Sequence, residues 1–173
     1  MTVRQCQALY RWFSARPRAR RTLAAANFLF PLFSIALYPA LLALLAAQLV
    51  SPGGGTPEAA AELARAVLVP GAVFWGGSAL RKALNRPRPY EQPGVQSILP
   101  KRTRGQAFPS RHALSAGVIA AVWLHYSLPV GLFLTAAALG VCAVRVLALV
   151  HSPRDVLAGA AAGFALGLLG MNL

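Results

Sequence analysis

Three clusters of polar residues interrupt an otherwise apolar chain: Arg81 to Pro89 (RKALNRPRP), Pro109 to His112 (PSRH), and the spaced set Arg145, His151 and Asp155. Asp155 is the only aspartate, and two of the three histidines, His112 and His151, lie in these clusters. Arg81, Lys82, Arg86 and Arg88 place four cations within eight residues, and the Arg-Pro pairs force extended backbone that cannot continue a helix. Guanidiniums grip phosphate oxygens in pairs, which lysine cannot do; a basic run at a helix end serves equally as a membrane-interface anchor. In the second cluster Ser110 is placed to cap a helix whose free backbone N–H groups form an anion site, with His112 in the first turn. Capping alone also accounts for Ser110. In the third, Ser152-Pro153 reads as N-cap and first helical position, so His151 sits just before a helix and Asp155 at its third residue. From there Asp155 can reach the imidazole with a hydrogen bond that fixes its tautomer and frees the other ring nitrogen as nucleophile or base. The same carboxylate also fits a capping box with Ser152. Arg145, at the end of the preceding apolar run, can point into the same place.

The elements that must hold these clusters are membrane helices. With 173 residues, of which 57% are hydrophobic and 12% charged, and a mean hydropathy of +0.55, the chain is too apolar for an ordinary soluble domain. The expected fold is all-α, a polytopic membrane helical bundle of about five transmembrane helices plus an N-terminal interfacial helix. Residues 1–22 form a basic amphipathic segment, with Cys6, Leu9, Tyr10 and Phe13 on one face; after Arg16 a disordered basic tail is the alternative. Residues 23–173 form a single transmembrane domain. Spans are expected over 23–50, kinked rather than divided by Pro31 and Pro39, and over 59–80, 112–127, 130–150 and 153–170. Ser51 to Pro57 (SPGGGTP) is a loop and Leu128-Pro129 a tight turn. Gly159, Gly163 and Gly167 make a small-residue stripe for close helix packing. Glu58, Glu62 and Arg65 read as structural, His125 as interfacial, and Cys6 and Cys142 as structural, with no disulfide or metal site indicated. Of the 17 Lys and Arg residues behind a net charge of +13, six lie between Arg4 and Arg21 and eight between Arg81 and Arg111. That distribution points to the bilayer and to phosphate as partners and away from nucleic acid.

Taken together, the clusters resemble the motifs of the type 2 phosphatidic acid phosphatase family, lipid-phosphate phosphatases that share a core with vanadium haloperoxidases. The family's motifs are K-x6-RP, PSGH and SR-x5-H-x3-D. This chain has Arg81-x6-Arg88-Pro89, Pro109-Ser110-Arg111-His112 and Arg145-x5-His151-x3-Asp155. The resemblance covers residues 75 to 170 and implies that His151 attacks phosphorus to form a phosphohistidine, with Asp155 orienting it. It implies that His112 protonates the leaving oxygen and then activates water. Arg81, or Lys82 beside it, with Arg88 and Arg145 would hold the phosphate oxygens, assisted by Ser110 and the backbone N–H of Arg111. Fixed arginines and helix N-termini can supply the needed charge stabilisation. With four acids in the chain, no cluster of acidic ligands is available for Mg²⁺, so no cofactor or metal is expected.

Three positions depart from the family pattern: Arg81 stands for its lysine, Arg111 for its glycine and Val144 for its serine. Each bears on substrate preference rather than on a catalytic role. The loop from Glu91 to Gln106, with Lys101, Arg102 and Arg104, is placed to cover the site or to meet headgroups. Two spans precede the first motif, whereas family members commonly have six in all and a site facing away from the cytoplasm. The Arg-rich N-terminus is expected to be cytoplasmic, and with it the active site of a cell-membrane protein. The function expected is hydrolysis of a lipid monophosphate or diphosphate such as phosphatidylglycerol phosphate, phosphatidic acid or a polyprenyl phosphate. The alternative is a non-catalytic protein that binds anionic lipid or polyprenyl phosphate, and a soluble-type haloperoxidase does not suit so apolar a chain.

Overall fold

The structure is a computed structural model that describes residues 1–101 and 103–173, so Arg102 lies outside the described residues. Among the described residues there are six α-helices: α1 (Val3–Ser14), α2 (Pro17–Val50), α3 (Pro57–Leu84), α4 (Arg111–Tyr126), α5 (Leu128–Leu147) and α6 (Pro153–Met171). Among the described residues there is no strand. Five of these helices fall on the expected spans, and the expected N-terminal helix precedes them. Helix α2 runs unbroken through Pro31 and Pro39 and begins at Pro17, so the arginines at 18, 20 and 21 form its first turns. Helices α2, α3, α5 and α6 are long and apolar enough to cross a bilayer. Helix α4 has only 16 residues.

Helix α4 can be short because protein rather than lipid surrounds it. Nine of its residues are buried, from Ala113 to Trp123, and it packs chiefly between α5 and α6. The glycine stripe of α6 makes this contact possible. A Cβ added at Gly163 would lie 2.1 Å from the Leu114 carbonyl oxygen, and one at Gly159 2.6 Å from that of Ser110. Backbone meets backbone along this seam, which is how helices gain dispersion contact in lipid where no hydrophobic drive joins them. On the outside, Phe28, Leu68, Trp75 and Leu157 are each more than 60% exposed, a surface suited to acyl chains.

Polar contacts finish both ends of the bundle. At one end Glu62 pairs with Arg65, accepts the Tyr126 hydroxyl at 2.7 Å and lies 3.5 Å from His125, which gives His125 a structural place. At the other end α1 folds back over the motif loops. Its Cys6 and Phe13 are buried with Val95, Ile98, Leu149 and Val150, and Tyr10 donates to Gln96 at 2.8 Å. The apolar face expected on α1 is therefore present and rests against protein.

Candidate active site

Each motif sits where a helix starts or stops. Helix α3 ends at Asn85, whose left-handed φ of 37° turns the chain out of the helix and leaves Arg81 on the last turn, buried, with Nη1 donating to the Pro109 carbonyl at 3.1 Å. Arg88 is also buried. Its Nε donates to the Gly105 carbonyl at 2.9 Å, so its terminal nitrogens remain for a ligand. Glu91 pins this corner: one carboxylate oxygen accepts the backbone N–H of Arg88 at 3.1 Å and of Gly105 at 2.7 Å. An acid in so basic a loop was the sequence signal for that role.

Ser110 occupies the N-cap position of α4 but its side chain makes no capping bond. The hydroxyl is fully buried and has no partner among the described residues. The first N–H groups of α4, at Arg111, His112 and Ala113, have no carbonyl one turn back and face outward from the helix start. Beyond α5, the Arg145 carbonyl accepts the N–H groups of both Val150 and His151 at 3.2 Å. This turn is what the spacing of five residues between Arg145 and His151 achieves. It folds the imidazole back beside the guanidinium.

The expected hydrogen bond between Asp155 and His151 is not made. His151 Nδ1 lies 3.9 Å from the Asp155 carboxylate and 2.8 Å from the Ala107 carbonyl oxygen. Asp155 instead accepts the Ser152 N–H at 2.7 Å and completes a capping box at the start of α6. A carboxylate three residues into a helix reaches back most easily to its own N-cap, and that local bond prevails here. The imidazole is oriented by a main-chain carbonyl, for which no side chain gives a signal. Asp155 still joins the motifs, because its own carbonyl accepts the Ser110 N–H at 2.8 Å.

Arg81, Arg88, Arg111, His112, Arg145 and His151 line one cavity of about 270 Å³, together with Lys101, Thr103, Arg104 and Gln106 of the loop. Lys82 is exposed and does not reach it. Six of the lining residues are cations and none is an acid. Burial, then the charge of Arg88, pushes the His151 imidazole down to about 3, against which the Ala107 bond works only in part. The ring is therefore neutral at neutral pH. Among the described residues no group of three or more His, Cys, Asp or Glu side chains could hold a metal ion. The arrangement offers a neutral imidazole, a second histidine and several guanidiniums around a space with room for an anionic headgroup, a set suited to phosphoryl transfer.

A family model described as the PAP2 superfamily matches residues 60–173. No curated protein matches the chain. Among solved structures, LpxE of Aquifex aeolicus superposes with a TM-score of 0.66 at 22% identity, over 96% of this chain and 94% of that one. A transmembrane PAP2 type phosphatidylglycerolphosphate phosphatase from Bacillus subtilis gives 0.63 at 21% identity, over 97% of this chain and 83% of that one. At these identities the likeness is one of fold, and it extends to the N-terminal helices that the family model leaves out.

Proposed function

This chain belongs to the PAP2 superfamily of phosphatases, and on that premise we propose that it removes phosphate from a membrane lipid through a phosphohistidine on His151, without a metal. The observation that carries this is the juxtaposition of His151 and His112 in one cavity whose charged lining is entirely cationic. With Nδ1 donating to the Ala107 carbonyl, the lone pair of His151 resides on Nε2. Nε2 bonds to phosphorus as the bond from phosphorus to the lipid oxygen breaks, and His112, which takes up a proton together with the incoming phosphate anion, gives that oxygen its proton. His112 then takes a proton from water, whose oxygen displaces Nε2 and releases inorganic phosphate. Arg81, Arg88 and Arg145 hold the three non-bridging oxygens, and Ser110 with the first N–H groups of α4 adds donors beside them. Asp155 acts by position: it caps α6 and ties that helix start to Ser110.

The site faces the cytoplasmic side of the cell membrane in this reading, because α1 and its arginines pack on the same end of the bundle as the cavity. The substrate's tail reaches the cavity from the bilayer. Purified protein in detergent with EDTA, offered a panel of lipid mono- and diphosphates, should release phosphate, and His151→Ala should reduce release by at least about 10⁴-fold. Turnover that survives His151→Ala sinks the phosphohistidine. Release abolished by EDTA and restored by Mg²⁺ sinks the metal-free mechanism.

A further inference from the structure

Six cations around one cavity exceed what a single phosphate needs. Arg81, Arg88, Lys101, Arg104, Arg111 and Arg145 all line it, whereas a phosphate monoester carries at most two negative charges. One of the six stands apart. Arg111 is exposed, and with His112 it lines both this polar cavity and a neighbouring apolar groove of about 290 Å³. The groove runs between α2, α3, α4 and α5 and is bounded by Pro31, Ile35, Phe74, Ile119 and Val141. The Arg111 guanidinium lies 5.6 Å from the centre of the Phe74 ring, a stacking contact that steadies it at the mouth between the two spaces.

Exposure rises in the order a lipid would occupy from head to tail: His151 and Arg145 are buried, His112 is half-buried and Arg111 exposed, and the last two also line the apolar groove. We propose that Arg111 forms a second anion subsite on the leaving-group side of the scissile bond, selecting lipids that carry a second phosphate between the scissile one and the tail. The inference rests on the phosphatase reading above and specifies its substrate class. The second phosphate is either joined directly, as in a polyprenyl diphosphate, or through a short polar linker, as in phosphatidylglycerol phosphate. In the first case the bond broken is the anhydride P–O bond, and the electron pair stays with the oxygen of the phosphate that remains on the lipid. Arg111 is placed to neutralise that departing charge. The position is also one where the family pattern has glycine, so the subsite is a property of this chain.

Two matched pairs test it: a polyprenyl diphosphate beside the monophosphate of the same chain length, and phosphatidylglycerol phosphate beside phosphatidic acid of the same acyl chains. Wild type should favour the two-phosphate member of at least one pair. Arg111→Gln should lower kcat/KM for that member about 10- to 100-fold more than for its one-phosphate partner, chiefly through KM if ground-state binding dominates. Arg111→Lys should recover part of the difference. Whichever pair shows the effect separates the direct from the linked second phosphate. Equal losses for both members of both pairs, or no wild-type preference, overturn the subsite while leaving the phosphatase intact. No release from any of the four lipids by folded wild type overturns the phosphatase reading, and the subsite with it.

Discussion

The histidine proposed to attack phosphorus has to be unprotonated, and the surroundings of His151 keep it so. Its ring is 2% exposed, and its affinity for a proton is pushed down to about 3, first by burial and then by Arg88. The unfolded chain takes up a proton at this residue near pH 6.5, which the folded chain excludes until about pH 3. The resulting stability is complete above pH 6.5 and is lost as the pH falls from there toward 3. At pH 5 the loss is about 2 kcal/mol, or roughly 4–8 °C of melting temperature for a chain of this size. Between about pH 7.5 and pH 5, wild type in detergent should therefore lose that much more than His151→Gln. Equal losses would mean that folding does not perturb the ring. At this scale the sequence was informative about identity and less so about partners. His112, His151 and the arginines stand out because such residues are costly among apolar ones. The carbonyl of Ala107 has no such mark, and for Asp155 both uses left open by the spacing fitted until geometry decided for the cap.

Helix α4 carries Ser110, Arg111 and His112, so whatever fixes its height along α6 fixes half the site. That task falls to the seam of Gly159 and Gly163 against the backbone of α4. Gly163→Ala would set a methyl 2.1 Å from the Leu114 carbonyl oxygen, a contact that neither rotamer change nor a flexible neighbour can relieve. The expected cost is about 1–3 kcal/mol, together with a loss of phosphate release larger than the unfolded fraction explains, since the helix that carries His112 is displaced. Gly71→Ala, whose added methyl meets nothing within 4 Å, is the control and should leave both unchanged. Loss of stability without loss of specific activity in Gly163→Ala would show that the seam holds the bundle but does not set the site. The helices were legible because apolar length, the Ser152-Pro153 start of α6 and the glycine spacing each have a direct physical meaning. The partner of α1 was not, because an amphipathic face fits lipid and protein alike.

For the molecule as a whole, the packing of α1 onto the loops beside His151 places the N-terminal arginines and the cavity at one end, and the turn from Ser51 to Thr56 follows at the far end of the long helix α2. In a variant whose buried Cys6 and Cys142 are replaced by alanine, a cysteine introduced as Thr56→Cys should react with an impermeant thiol reagent on intact cells. Reaction only after permeabilisation would reverse the orientation. The length of α4 also bears on how deep the site can lie. Helix α4, with 16 residues, is about 24 Å long, against about 30 Å of hydrocarbon. Were His125 and Tyr126, held by Glu62, seated at one interface, His112 in the opposite first turn, about 21 Å along the axis from Tyr126, would lie roughly 9 Å beneath the other. In that placement the headgroup must sink below its neighbours to react, and membrane thickness becomes a variable of the chemistry. Turnover should rise as the phosphatidylcholine of a host vesicle is shortened, and rates indifferent to chain length would put the site level with the surface.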